Sequence, residues 1–243
     1  MTPLVFVCGE GVSDFGNQSE KGPLYYVIWK ILQKMCGEDN PHEKIRIIEE
    51  GYLKSKRRQW RGENPRKSML LKRSGDGNDP KSWDREAAAQ TLAKVTCEEG
   101  GDLAVLHSDV DFTRKELDAH DRKTQKLKRQ EFRDAIRNTI KRGFEKGGLG
   151  IKGVPLVPMP RSEAWLIHMA PNNKKSSEQI ELLPGNDNAA NEAKTLLKSL
   201  GYITVAQKAD LVFKKYTPEK MYVESHNVFW EDMQTALQEV SLI

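Results

Sequence analysis

The sequence predicts an α/β fold built on a mainly parallel sheet, and three observations carry that expectation. Four short apolar runs have the composition of buried strands, helical periodicity fills the intervals between them, and the first and third runs break into glycine or acidic residues where a strand would end. The order is strand then helix, four times over, with no internal repeat and no clear domain boundary.

The first strand is "PLVFVC" at 3–8, stopped by Gly9 and apolar throughout, as a central parallel strand covered on both faces would be. "PLYYVIWKILQKM" at 23–35 has helical spacing and a proline suited to the first turn, so it reads as a helix returning over that strand. "KIRIIEEG" at 44–51 is the second strand. From Tyr52 to about Gly77 the pattern dissolves, with nine Lys or Arg against two acidic residues, and the stretch reads as an inserted or mobile loop. Helical periodicity resumes over 82–99, followed by the third strand "DLAVLH" at 102–107. Residues 116–146 read as a long, mostly solvated helix with Leu127, Phe132, Ile136 and Ile140 on its apolar stripe. The fourth strand is "GVPLVPMP" at 153–160, and "RSEAWLIHMA" begins the next helix. A loop, a helix over about 189–200 and a last helix over 218–240 complete a helical C-terminal extension from about residue 186. That last helix carries Tyr222, Val223, Phe229, Trp230, Met233 and Leu237 as a stripe for core packing.

A chain of 243 residues is long enough for one sizeable core, and its net charge of +4 does not by itself specify a nucleic-acid partner. No apolar run approaches bilayer length, and the N-terminus has neither a basic segment nor a small-residue cleavage site, so the expectation is a cytoplasmic protein with no membrane partner. Cys8, Cys36 and Cys97 form no CxxC pair and read as buried free thiols. "GEGVSDFG" lacks the spacing of a dinucleotide fingerprint.

The chemistry concentrates at strand ends. In a parallel sheet ligands bind at the carboxyl ends of the strands. Glu10 and Asp14 follow the first strand, and Asp109 and Asp111 follow the third, two residues apart and so on one side of an extended chain. Four carboxylates in one cleft repel unless a cation joins them, and oxygen donors favour Mg2+ or Mn2+ over zinc. The alternative reading makes Glu10 and Asp14 loop or capping residues and the two aspartates turn formers. Ser13 and Ser108 read as exposed turn serines, the alternative being that they supplement the site through water. Glu163, early in the helix after the fourth strand, either complements the helix dipole or reaches the metal cleft, and Arg161 would pair with it or meet a phosphate.

The strand endings "GEGVSD" and "HSDVDF" resemble the TOPRIM domain of topoisomerases, primases and the overcoming-lysogenisation-defect nucleases. "PMPRSEAWLIHMA" and "LLPGNDNAANEAKTLLKSLG" look like a small bacterial TOPRIM-like family associated with defence ATPases. The resemblance covers most of the chain and implies one TOPRIM-like, Rossmann-like domain over 1–243 with a basic insertion at about 52–77. It further implies Mg2+-dependent phosphodiester cleavage, with Glu10 as metal ligand or general acid/base, Asp109 and Asp111 as metal ligands, Asp14 as the second acidic position of the nuclease branch, and an acidic residue in the "EAWL" element, here Glu163. No lysine of the sequence is assignable to the transition-state-stabilising position of that branch.

The basic stretch has two readings, a solvated loop or an arm that tracks phosphates through Arg57, Arg58, Arg61, Arg66 and Lys67 while Trp60 stacks on a base. The leading expectation is a metal-dependent nuclease acting on DNA or RNA, an effector of bacterial anti-phage defence controlled by a partner ATPase. Two rivals stand beside it. One is a non-catalytic nucleic-acid-binding or regulatory subunit with a vestigial site; the other is a metal-dependent nucleotidyl or glycosyl transferase, which leaves "GEGVSD" unexplained.

Overall fold

The structure, a computed structural model, describes residues 2–9, 12–63, 80–110, 122–185 and 192–241. Four strands, β1 (Val5–Cys8), β2 (Ile45–Ile47), β3 (Leu103–His107) and β4 (Gly153–Leu156), form one sheet in the order β2-β1-β3-β4. Every pairing is parallel, so the expected α/β class holds. β1, β3 and β4 are buried along their whole length because both faces are covered, whereas the edge strand β2 carries the exposed Arg46. Val5, Val7, Leu103, Val105, Val154 and Leu156 enter one core; Phe6, Cys8, Ala104 and Leu106 enter the other.

The first core is closed by α2 (Pro23–Cys36), α6 (Ser162–Met169), α9 (Val205–Lys215) and α10 (Glu224–Ser241). The short α1 (Val12–Phe15), α7 (Ser177–Glu181) and α8 (Ala193–Ser199) add Phe15, Ile180 and Leu197 to it. The C-terminal helices are therefore part of the same core as the strands. The second core lies under α3 (Glu50–Glu63), α4 (Pro80–Glu98) and α5 (Arg122–Lys146).

Five expectations change. The stretch read as a loop from Tyr52 is helical through Glu63: α3 buries Leu53, and Lys94 of α4 sits 3.9 Å from the centroid of the Trp60 ring. A charged helix with so narrow an apolar stripe hides its period. On α5, Ile136 and Ile140 are buried as expected, but Leu127 and Phe132 are exposed and their expected place is taken by Arg129 and Arg133, both buried. Between the last two expected helices lies α9, opened by a capping box in which Thr204 and Gln207 each bond the other's backbone. At the start of α10, Tyr222 is exposed while Val223, Phe229, Met233 and Leu237 are buried. The three cysteines are free thiols, but only Cys8 is buried, and Cys97 is exposed. Among the described residues no helix is long and apolar enough to cross a membrane.

Candidate active site at the ends of β1 and β3

The strand order creates the site. β2 and β3 flank β1 on opposite sides, so the connection from β1 runs to one side of the sheet and that from β3 to β4 runs to the other, and in parallel sheets such a reversal is where strand-end sites form. After β1 the chain folds into α1, which carries Asp14. A tight turn holds α1 in place: the amide of Gly22 donates to Phe15 O at 2.8 Å, and Gly16 takes φ +79°, a conformation that L side chains rarely adopt. After β3 the chain stays extended, with the amides of Ser108 and Val110 donating to Leu156 O and Pro160 O at 3.0 and 3.1 Å. This fixes Asp109 at the same end of the sheet as Asp14.

The two aspartates share partners. Ser162, the first residue of α6, donates its amide to Asp109 Oδ1 at 3.1 Å and its hydroxyl to Asp14 Oδ1 at 3.0 Å. The amide is one that the first turn of a helix cannot satisfy internally. His107 lies between the same carboxylates, with Nε2 3.0 Å from Asp109 Oδ1 and Nδ1 3.5 Å from Asp14 Oδ2, and its ring is fully buried. From α4, Arg85 donates Nε to Ser108 Oγ at 2.7 Å and a terminal N–H to Asp109 O at 3.2 Å, clamping the backbone that carries the carboxylate. Ser108 is thus a buried anchor rather than an exposed turn residue, while Ser13 is exposed.

Glu163 adds a third carboxylate at the rim of the cluster. Its Oε1 accepts from Lys208 Nζ at 2.9 Å, with both side chains largely buried. Burial acts to raise its pKa, but the Lys208 charge and hydrogen bond, with help from Arg161, hold it below the ordinary value. Arg161 itself reaches Glu192 at 3.6 Å. Asp109 behaves in the opposite way. Burial pushes its carboxyl up, His107 pulls it back, and the negative charges of Asp14 and Glu163 push again, leaving it at about 6. A group so placed is short of positive charge.

Of the residues singled out from sequence, Asp14 and Asp109 are brought together, and Glu163 lies close enough for its charge to bear on Asp109. Glu163 does sit in the first turn of α6, as either reading requires, but its described partner is Lys208. Glu10 and Asp111 lie outside the described residues, as do Arg66 and Lys67. Arg57, Arg58, Trp60 and Arg61 lie on α3. Among the described residues no group of three or more His, Cys, Asp or Glu is arranged to hold a metal ion. Asp14 and Asp109 supply the hard oxygen donors that Mg2+ or Mn2+ prefers, and a complete set would draw on Glu10 or Asp111.

Sequence reasoning missed His107, Ser162 as a shared donor, Arg85 and Lys208. For His107 a signal was present: the alternation that pairs Asp109 with Asp111 also puts His107 on their side of the chain. Nothing in the sequence announces Lys208, which lies 45 residues from its partner and on a helix that the periodicity reading passes over. Comparison with known proteins gives no match: no family model matches the chain, and no curated protein or solved structure matches it significantly.

Proposed function

We propose that this protein is a TOPRIM-like, Mg2+- or Mn2+-dependent nuclease that cleaves phosphodiester bonds in DNA or RNA, and that it serves as a defence effector under the control of a partner ATPase. The observation that carries the reading is the approach of Asp14 and Asp109, from the segments that follow two adjacent parallel strands, to one buried imidazole and one serine. The strand endings "GEGVSD" and "HSDVDF" supply the chemical class, through Glu10 and Asp111 beside them. A bound divalent cation would supply acidification of a water and charge stabilisation on the phosphate, which single side chains do poorly.

The chain's own residues have separable tasks in this reading. Asp14 and Asp109 bind the cation, with Glu10 and Asp111 completing the set. Arg85 and Ser162 hold Asp109 from its backbone and its carboxylate respectively. Lys208 keeps Glu163 ionised at the rim, where that charge adds to the demand for a cation. Glu163 therefore acts on the site through its field, as well as through any direct ligation.

The test is cleavage of plasmid DNA, single-stranded DNA and RNA by purified protein in Mg2+ or Mn2+, with Asp109→Ala and Asp111→Ala beside it. The expected outcome is metal-dependent cleavage by the wild type and its loss by at least a hundredfold in both variants, with cooperative melting retained. Cleavage that survives in both variants overturns the assignment. Nucleic-acid binding without cleavage in the wild type favours the rival reading, in which Asp109 serves only to cap α6.

A further inference from the structure

The nuclease reading assigns His107 no task, yet the ring occupies the centre of the cluster. It is the last residue of β3 and none of its side chain meets solvent. Each ring nitrogen faces a different carboxylate, Asp109 at 3.0 Å and Asp14 at 3.5 Å. Phe15 meets the ring edge-on at 6.4 Å between centroids. Gly9, the residue after β1, leaves the ring its space: a Cβ there would stand 3.3 Å from Nδ1 and 3.2 Å from Phe15. Ser162 joins the same two carboxylates through its amide and hydroxyl. The four residues close a loop of contacts, His107 to Asp109 to Ser162 to Asp14 and back to His107.

We infer that His107 is a positioning residue that fixes the separation and orientation of Asp14 and Asp109, so that the pair is pre-set for a divalent cation. The inference rests on the metal reading above. Asp109 shares a strand end with the ring, but Asp14 arrives on a separate segment after a different strand. Two like charges on separate segments repel, and a pair held only through Ser162 has more freedom to relax apart before a cation draws it together. Ser162 hydrogen-bonds both carboxylates, while the imidazole contacts Asp109 through Nε2 and packs its Nδ1 3.5 Å from Asp14; on Asp109 both residues engage Oδ1, so the described contacts leave Oδ2 for a ligand. Residues that orient metal-binding carboxylates and imidazoles in this way typically change metal affinity 10–100-fold when replaced.

The experiment is calorimetric titration of the full chain with Mn2+, paired with the electron paramagnetic resonance signal of bound Mn2+ and with melting curves in chelator. Three variants accompany the wild type: His107→Leu, which keeps bulk and removes both nitrogens; His107→Gln, whose amide can stand in for Nε2 toward Asp109; and Gly9→Ala, which presses on the ring without altering any charge. The expected result is binding by the wild type, a roughly 10–100-fold loss for His107→Leu, a smaller loss for Gly9→Ala, and recovery of most of the affinity in His107→Gln. A purely structural role predicts instead that affinity follows melting temperature across the three variants. Equal Mn2+ affinity in His107→Leu and wild type overturns the inference, and so does a Gln variant as defective as the Leu variant. If His107→Leu does not fold, His107→Gln and Gly9→Ala decide it, since unchanged affinity in Gly9→Ala also counts against a ring whose position matters. A wild type that binds no Mn2+ removes the metal reading itself and this inference with it, an outcome distinct from binding that is indifferent to His107.

Discussion

At the scale of single residues, a second buried histidine sits against a phenol and an indole rather than carboxylates. His226 is fully buried, with Nε2 2.6 Å from Tyr216 Oη and the Trp165 ring edge-on at 5.1 Å between centroids. Burial pulls its pKa down to about 4, and burial also raises that of Tyr216 well above the ordinary value, so the phenol donates to a neutral ring. The folded pKa lies below the free value of 6.5, which means that the unfolded chain takes up the proton first as pH falls. The contribution of His226 is fully present above pH 6.5 and is lost progressively down to about pH 4, a decline of about 3 kcal/mol at most. Urea midpoints measured from pH 7 to pH 4 should fall more steeply for the wild type than for His226→Gln. Parallel curves would show that some other group dominates acid sensitivity.

At the scale of elements, α5 was legible as a helix but not in what it buries. Arg129 is 1% exposed and donates to the carbonyls of Glu181, Leu182 and Leu183, which the short α7 leaves without intrahelical partners at its C-terminal end. Burial lowers its pKa to about 10, with Glu181 opposing, so the guanidinium remains charged near neutrality. Arg129→Met should cost about 2–4 kcal/mol in urea denaturation, because buried carbonyls lose their donors, and Arg129→Lys should recover only part of that loss, since a point charge cannot span three acceptors. A neutral Met variant would mean that water takes over all three carbonyls. The helix α3 repeats the lesson on a smaller scale. Leu53 is the buried residue of its stripe, and the Glu50–Lys54 pair at 2.7 Å supports the first turn, so charge dominates the composition while one leucine and one tryptophan dock the helix.

At the scale of the whole molecule, charge is divided. Residues 52–77 carry nine basic and two acidic groups, whereas the entire chain has a net charge of only +4, so everything outside that stretch is net acidic. The stretch begins on α3, which starts just after β2 at the same end of the sheet as Asp14 and Asp109. If Arg57, Arg58, Arg61, Arg66 and Lys67 each neutralise a phosphate, replacing all five by Gln should flatten the salt dependence of duplex binding by about 4.5 in the slope of log K against log salt. An unchanged slope would return the stretch to the solvated reading. Trp60 should behave differently from a base-stacking residue. Lys94 lies over its ring, so Trp60→Ala should cost on the order of 1 kcal/mol in stability through the α3–α4 contact and leave single-strand affinity largely intact.

What the sequence determined by itself is local. The central strands β1 and β3 are apolar because their own side chains are covered on both faces, each long amphipathic helix repeats its own period, and Asp109 falls at a strand end because the apolar run before it stops at His107. The capping box of α9 was equally available, in Thr204 and Gln207, to a reading that looked for helix starts as well as stripes. Tertiary structure alone decided which charges meet. Ser162 bonds Asp14 across 148 positions and Asp109 across 53, and Lys208 finds Glu163 only because α9 and α6 both close the first core. Periodicity and turn chemistry report what a residue's immediate neighbours require. The worth of a buried charge depends on which partner the packed elements bring within about 3 Å, and no local pattern encodes that.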